Sequence, residues 1–173
     1  CIRDRFYNIP INTYFSLDLD GISALNDSVG GVDVVSPETI GEFVEGESYH
    51  LVGQQAESFV RTRDTSKTDS NNMRMQRQKV YIQSFMNTVL QQTKKDLTTP
   101  IDLFNASAPY SCTNLNPSKV SYLAQQAVLG GMNGIDMVSV PGQVAMGSKY
   151  AEFNVSEAEF YQLFLSIYYT KIE

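Results

Sequence analysis

Apolar residues recur along this chain at intervals that switch between strand and helix periods. Thr13–Leu19 alternates loosely and is rich in β-branched and aromatic side chains, which predicts a strand. Asp20 stands where it would cap a short helix running to about Val29, with Ile22, Leu25 and Val29 on one face. Gly30-Gly31 stops that helix, because glycine accepts the left-handed backbone at a helix C-terminus. Val32–Val35 is a second strand, ended by Pro37. Strand, helix, strand in that order predicts an α/β layer. Gly41–His50 is polar and reads as a surface loop, Gln54–Val60 as a short helix, and Asp64–Ser70 as a polar loop. From about Asn71 to Lys95 a long helix is predicted, since Ile82, Phe85, Met86, Val89 and Leu90 have the i, i+3, i+4, i+7, i+8 spacing of a buried stripe. Pro100 closes that region. Asn116 caps a further helix with Pro117 at its first position and Val120, Leu123, Ala127 and Val128 inward. Ile135–Val140 and Lys149–Val155 read as strands. Ser156, with Glu159 three residues on, opens a last helix carrying Phe160, Leu163, Phe164 and Ile167.

At 173 residues the chain suits one domain, with ordinary globular content: 42% hydrophobic and 18% charged. Cys1–Arg5 fits no element and is read as a non-native end, with a single domain fragment over residues 6–173. Cys112 is then the only native cysteine, and a lone cysteine is ordinarily a small buried side chain. A pI near 4.8 argues against a general nucleic-acid binder. No apolar run reaches the roughly 18–20 residues of a spanning helix. No histidine or cysteine cluster predicts zinc, no nucleotide-binding glycine loop is present, and His50 is the single histidine.

Charge changes this picture at one place. After Arg5 the chain has four arginines, all between Arg61 and Arg77, and Arg61–Lys79 sets six basic residues against Asp64 and Asp69, a net charge of +4 inside a protein of net charge −6. Guanidinium groups offer planar paired donors that fit phosphate oxygens. Stepping back from Ile82 by four and eight lands on Gln78 and Arg74, so the inward face of the long helix begins polar and turns apolar. A pocket charged at its mouth and apolar behind has that form. Arg77 is turned about 100° from Gln78 and either reaches the same ligand or ties down a neighbouring carboxylate. Arg61 and Arg63 share a face if their segment is extended. The competing reading is a solvated face on which Asp64 and Asp69 pair with these arginines.

Ile11-Asn-Thr-Tyr14-Phe-Ser-Leu-Asp18, Gly21-Ile-Ser-Ala-Leu25 through Gly30-Gly31-Val32-Asp33-Val34, Leu51-Val-Gly-Gln-Gln-Ala56 through Arg61-Thr-Arg63, and Arg74-Met-Gln-Arg77-Gln78 stand in order along the chain. Together they resemble the LytR–CpsA–Psr family. The resemblance implies a central mixed sheet flanked by helices on both faces, incomplete at the N-terminus. It implies a membrane-anchored enzyme on the extracytoplasmic face of the cell membrane. Such an enzyme moves a teichoic acid or capsular polysaccharide from a polyprenyl-pyrophosphate carrier to peptidoglycan. By motif match, Arg61, Arg63, Arg74 and Gln78 take the catalytic, pyrophosphate-holding role, with Arg77 beside them. Ile82, Phe85, Met86 and Val89 form the lipid pocket. Magnesium is the implied cofactor. Its aspartates, the anchoring helix and the first strands lie in an upstream part without counterpart here, so the fragment is expected to be inactive alone. The alternative is a non-catalytic protein that binds polyprenyl phosphate or anionic polymer.

Overall fold

The structure, a computed structural model, describes residues 12–66, 70–135, 137–147 and 151–169. Cys1–Arg5, Ile11, Lys67, Asp69 and Lys149 lie outside them. The chain gathers into two compact units, Cys1–Asp136 and Met137–Glu173.

The first unit opens with β1 (Phe15–Leu17) and α1 (Leu19–Ser28). The cap of α1 is Asp18, not Asp20: the Asp18 carboxylate accepts the Gly21 N–H at 3.0 Å, and Asp20 sits in the first turn, where the helix dipole favours an acid. β2 (Val32–Val35) pairs antiparallel with β3 (Ser48–Leu51). Strand period two puts Val32 and Val34 inside and Asp33 and Val35 outside. The predicted loop over Gly41–His50 thus ends in a strand, which polar Ser48 and His50 on its outer face concealed. Then come α2 (Gln54–Arg61), α3 (Ser70–Lys95), α4 (Thr99–Ser107), a 3-10 turn at Ala108–Tyr110, β4 (Ser111–Thr113) and α5 (Pro117–Leu129). Pro100 lies in the first turn of α4 instead of closing the region, as its missing N–H costs nothing there. Asn116 caps α5 by accepting the Lys119 N–H at 2.9 Å. β4 returns to pair antiparallel with β1, Phe15 opposite Thr113.

The core of this unit is built from Val32, Val34, Leu51, Ala56, Phe59 and Phe43, all nearly inaccessible. Phe43 meets Phe59 and Tyr49 edge-on, with ring centroids 5.0 and 5.2 Å apart. Asn26 stitches three elements: its Nδ2 donates to the Leu51 carbonyl at 2.8 Å, and its Oδ1 accepts from the Tyr81 hydroxyl at 3.3 Å. Burial there pushes the Tyr81 hydroxyl well above its ordinary pKa, with the nearby Asp27 carboxylate adding to the shift.

The second unit holds β5 (Gly142–Met146) and β6 (Ala151–Val155), paired antiparallel, and α6 (Glu157–Tyr168). Residues 137–140, predicted as part of a strand, carry no regular structure, and the strand starts after Pro141. Ser156 is the cap residue of α6 but makes no side-chain cap bond. The α/β class is as expected. Among the described residues its strands form three separate two-stranded antiparallel ladders, not one central mixed sheet. Strands of three to five residues each satisfy one neighbour and present no further described partner.

Candidate anion-binding site

α2 ends at Arg61, and Thr62 leaves it extended, at φ −54° and ψ 137°. The last carbonyls of a helix lack partners within it. Here Thr62 covers the Ser58 carbonyl with its N–H at 3.0 Å and its hydroxyl at 2.7 Å. The next carbonyls are covered by α3. Arg77 donates from Nη1 to the Phe59 carbonyl and from Nη2 to the Thr62 carbonyl, and Gln78 donates from Nε2 to the Val60 carbonyl at 3.2 Å. The third Arg77 nitrogen, Nε, donates to Glu38 Oε1 at 2.7 Å, with side-chain exposures of 0% and 10% for the pair. A guanidinium is tolerated in this interior because each nitrogen meets an acceptor and its charge meets a carboxylate.

That junction carries the remaining arginines. Arg63 donates from Nε to Ser70 Oγ at 3.0 Å, and Ser70 is the buried first residue of α3. One turn further on, Arg74 donates from Nη2 to Asn71 Oδ1 at 2.9 Å, while its Nε is buried without a hydrogen-bond partner among the described residues. Buried donors are almost always paired, so this one marks a place where an acceptor is due. The first turn of α3 adds its positive dipole end. Arg61 stands two residues from Arg63, 63% exposed, with Nη1 on Glu57 Oε1 at 2.8 Å. The structure therefore brings Arg63, Arg74 and Gln78 to one junction, with Arg61 at its exposed flank.

Arg77 is corrected: of the two roles left open for it, it has the second. It is enclosed on Glu38 and two carbonyls, with no surface offered to a ligand. The lipid-pocket set divides in two. Phe85 and Val89 pack against the core, whereas Ile82 and Met86 are 44% and 36% exposed. The buried face of α3 runs through Ser70, Arg77, Tyr81, Leu90 and Thr93, rotated from the predicted stripe. Sequence reasoning missed Glu38, 39 residues from Arg77 in the loop after β2, and no local spacing announces such a pair.

Elsewhere, His50 faces Asp33 across the β2–β3 ladder, with Nδ1 2.7 Å from the Asp33 carboxylate and Nε2 3.1 Å from the Gly30 carbonyl. The Asp33 hydrogen bond, with its charge and the Gly30 carbonyl adding, holds the imidazole pKa above its ordinary value despite some desolvation. Cys112 is exposed, not buried, with its sulfur 3.8 Å from the Tyr14 hydroxyl. Among the described residues no group of three or more His, Cys, Asp or Glu side chains could hold a metal ion, and no helix is long and apolar enough to cross a membrane.

The α/β scaffold thus carries guanidinium groups at the α2–α3 junction. The chain belongs to the LytR_cpsA_psr family, whose sequence model matches residues 3–165. It is 28% identical over 146 residues to a polyisoprenyl-teichoic acid–peptidoglycan teichoic acid transferase TagU of Bacillus cereus, covering 80% of this chain and 45% of that protein. A Bacillus anthracis transferase of the same name is 38% identical over 64 residues, 35% of this chain and 21% of that one. The chain thus spans less than half the length of these relatives. Among solved structures it resembles TagV of B. subtilis, with a TM-score of 0.71 at 21% identity over 98% of this chain and 69% of that one, a likeness of fold.

Proposed function

We propose that this chain is part of a glycopolymer–peptidoglycan transferase of the cell envelope, and that Arg63 and Arg74, flanked by Arg61, hold the diphosphate of a polyprenyl-linked teichoic acid or capsular polysaccharide. Family membership and the transferase names of the relatives support the reaction class. The observation that carries the site is the buried, unpartnered Nε of Arg74, one turn along α3 from the serine that holds Arg63.

Transfer moves the phosphoryl-linked polymer to an acceptor hydroxyl, and the prenyl phosphate leaves. Negative charge on the transferred and leaving phosphates must be met by fixed positive charge, and guanidinium forks meet it without reorganising. Gln78 donates to the Val60 carbonyl and so braces the end of α2, which carries Arg61 and leads into Arg63. The prenyl chain runs over outward Ile82 and Met86, with Phe85 and Val89 as backing. Among the described residues no group of three or more His, Cys, Asp or Glu side chains could hold magnesium, and its ligands, in this proposal, come from elsewhere in the protein. Anchoring to the membrane and peptidoglycan as acceptor complete the reading.

The test is binding of farnesyl diphosphate to the parent chain and to Arg61→Ala/Arg74→Ala by calorimetry. Affinity should fall more than about tenfold, since each charge-assisted contact contributes about 1.5–3 kcal/mol. Equal affinities, or no binding by either protein, contradict the assignment.

A further inference from the structure

Arg77 lies within one turn of Arg74 on α3, yet all three of its nitrogens donate to the protein. Its acceptors are the carbonyls of Phe59 and Thr62, which bracket Arg61 and directly precede Arg63. The geometry points to Arg77 and Glu38 as a latch that sets the anion site from behind: positioning residues, not ligand contacts. This rests on Arg63 and Arg74 being the anion site.

Fixing the Thr62 carbonyl fixes the peptide plane that joins Thr62 to Arg63, and with it the direction in which Arg63 leaves the chain towards Ser70. Fixing the Phe59 carbonyl keeps the last turn of α2 wound, so that Arg61 remains on the helix beside Glu57. Glu38 acts one step further back. Its carboxylate, on Nε, orients the guanidinium plane so that Nη1 and Nη2 point at two carbonyls three residues apart. Ser36 in turn holds the Glu38 backbone, its hydroxyl donating to the Glu38 carbonyl at 2.7 Å. A planar fork spreads its donors over three nitrogens and so reaches three separated acceptors, whereas an ammonium carries its three donors on one atom. A lysine ammonium would keep the charge pair and lose the fork. Without Arg77, the buried Phe59 carbonyl and Glu38 carboxylate and the half-buried Thr62 carbonyl lose their partner, so residues 59–63 open to water and Arg63 leaves Ser70.

Two measurements on the whole chain decide this. In the first, arginine Nε–H resonances are followed by NMR during titration with farnesyl diphosphate. The Arg74 resonance should move and the Arg77 resonance should stay; movement of Arg77 overturns the latch by making it a ligand contact. In the second, melting temperature and probe affinity are compared for Arg77→Met, Arg77→Lys and Glu38→Leu/Arg77→Met. Each single variant should melt lower. The double variant, with no buried unpaired charge, should regain most of the melting temperature and yet bind about tenfold more weakly than wild type, a loss that Arg77→Lys shares. Affinity that returns together with the melting temperature overturns the proposal. If wild type binds no farnesyl diphosphate, the functional reading fails by itself. The latch is then judged from solvent exchange of the Arg63 Nε–H, expected about tenfold faster in the double variant; an unchanged rate overturns it.

Discussion

Arg74→Met separates a ligand-holding arginine from a structural one, because the two roles move stability in opposite directions. In the protein without ligand, Arg74 makes one side-chain bond to Asn71 three residues back on the same helix, and leaves Nε buried and unpaired. Losing an exposed intrahelical pair costs about 0.2–0.5 kcal/mol. Removing a buried unsatisfied donor relieves about 1–3 kcal/mol. Methionine keeps the apolar stem and helix propensity. The net expectation is a gain of about 0.5–2.8 kcal/mol, at about 2–4 °C in melting temperature per kcal/mol for a chain of this size. Ligand affinity goes the other way: one charge-assisted contact of about 1.5–3 kcal/mol corresponds to a loss of roughly 10- to 150-fold. Differential scanning fluorimetry of the free protein and calorimetry with farnesyl diphosphate give the two numbers. A variant that melts lower and binds unchanged refutes the reasoning, since it would make Arg74 part of the scaffold.

Two further outcomes test the scaffold around it. His50 donates from both ring nitrogens, to Asp33 and to the Gly30 carbonyl, only when protonated, and its folded pKa is raised above the ordinary 6.5. Its contribution is therefore complete below about pH 6.5 and is lost as pH rises through the raised folded value; melting curves of wild type and His50→Gln from pH 5 to 9 should converge at the alkaline end, and a constant gap refutes the linkage. Gly31→Ala should destabilise by more than about 1 kcal/mol in a urea titration, because Gly31 has φ +95° and a Cβ there would lie 2.4 Å from His50 Nε2.

Periodicity and capping chemistry made much of this architecture legible. Asn116-Pro117 announced α5 and the Gly30-Gly31 stop announced the end of α1, since both rules act within a few residues. What escaped the pattern was tertiary. A stripe fitted to apolar letters on α3 chose Ile82 and Met86, whereas the true inner face includes Ser70, Arg77 and Thr93, polar side chains that burial admits only because each finds a partner. Backward extension of that stripe put Gln78 on the inward face of the helix, and its side chain reaches the Val60 carbonyl of α2. The Arg77 alternative involving a carboxylate was readable, but the identity of Glu38 was not, because 39 residues separate them. β3 was hidden because one face of an antiparallel ladder is solvated and reads as loop.

The central claim is that guanidinium groups from the end of α2 and the start of α3 close on a single diphosphate. A crystal structure of the chain soaked with farnesyl diphosphate reads this out. The account predicts phosphate oxygens within hydrogen-bond distance of Arg63 and of the Arg74 Nε, with Arg77 still on Glu38. Phosphates bound away from the α2–α3 junction, or an Arg77 drawn off Glu38 onto them, would contradict it.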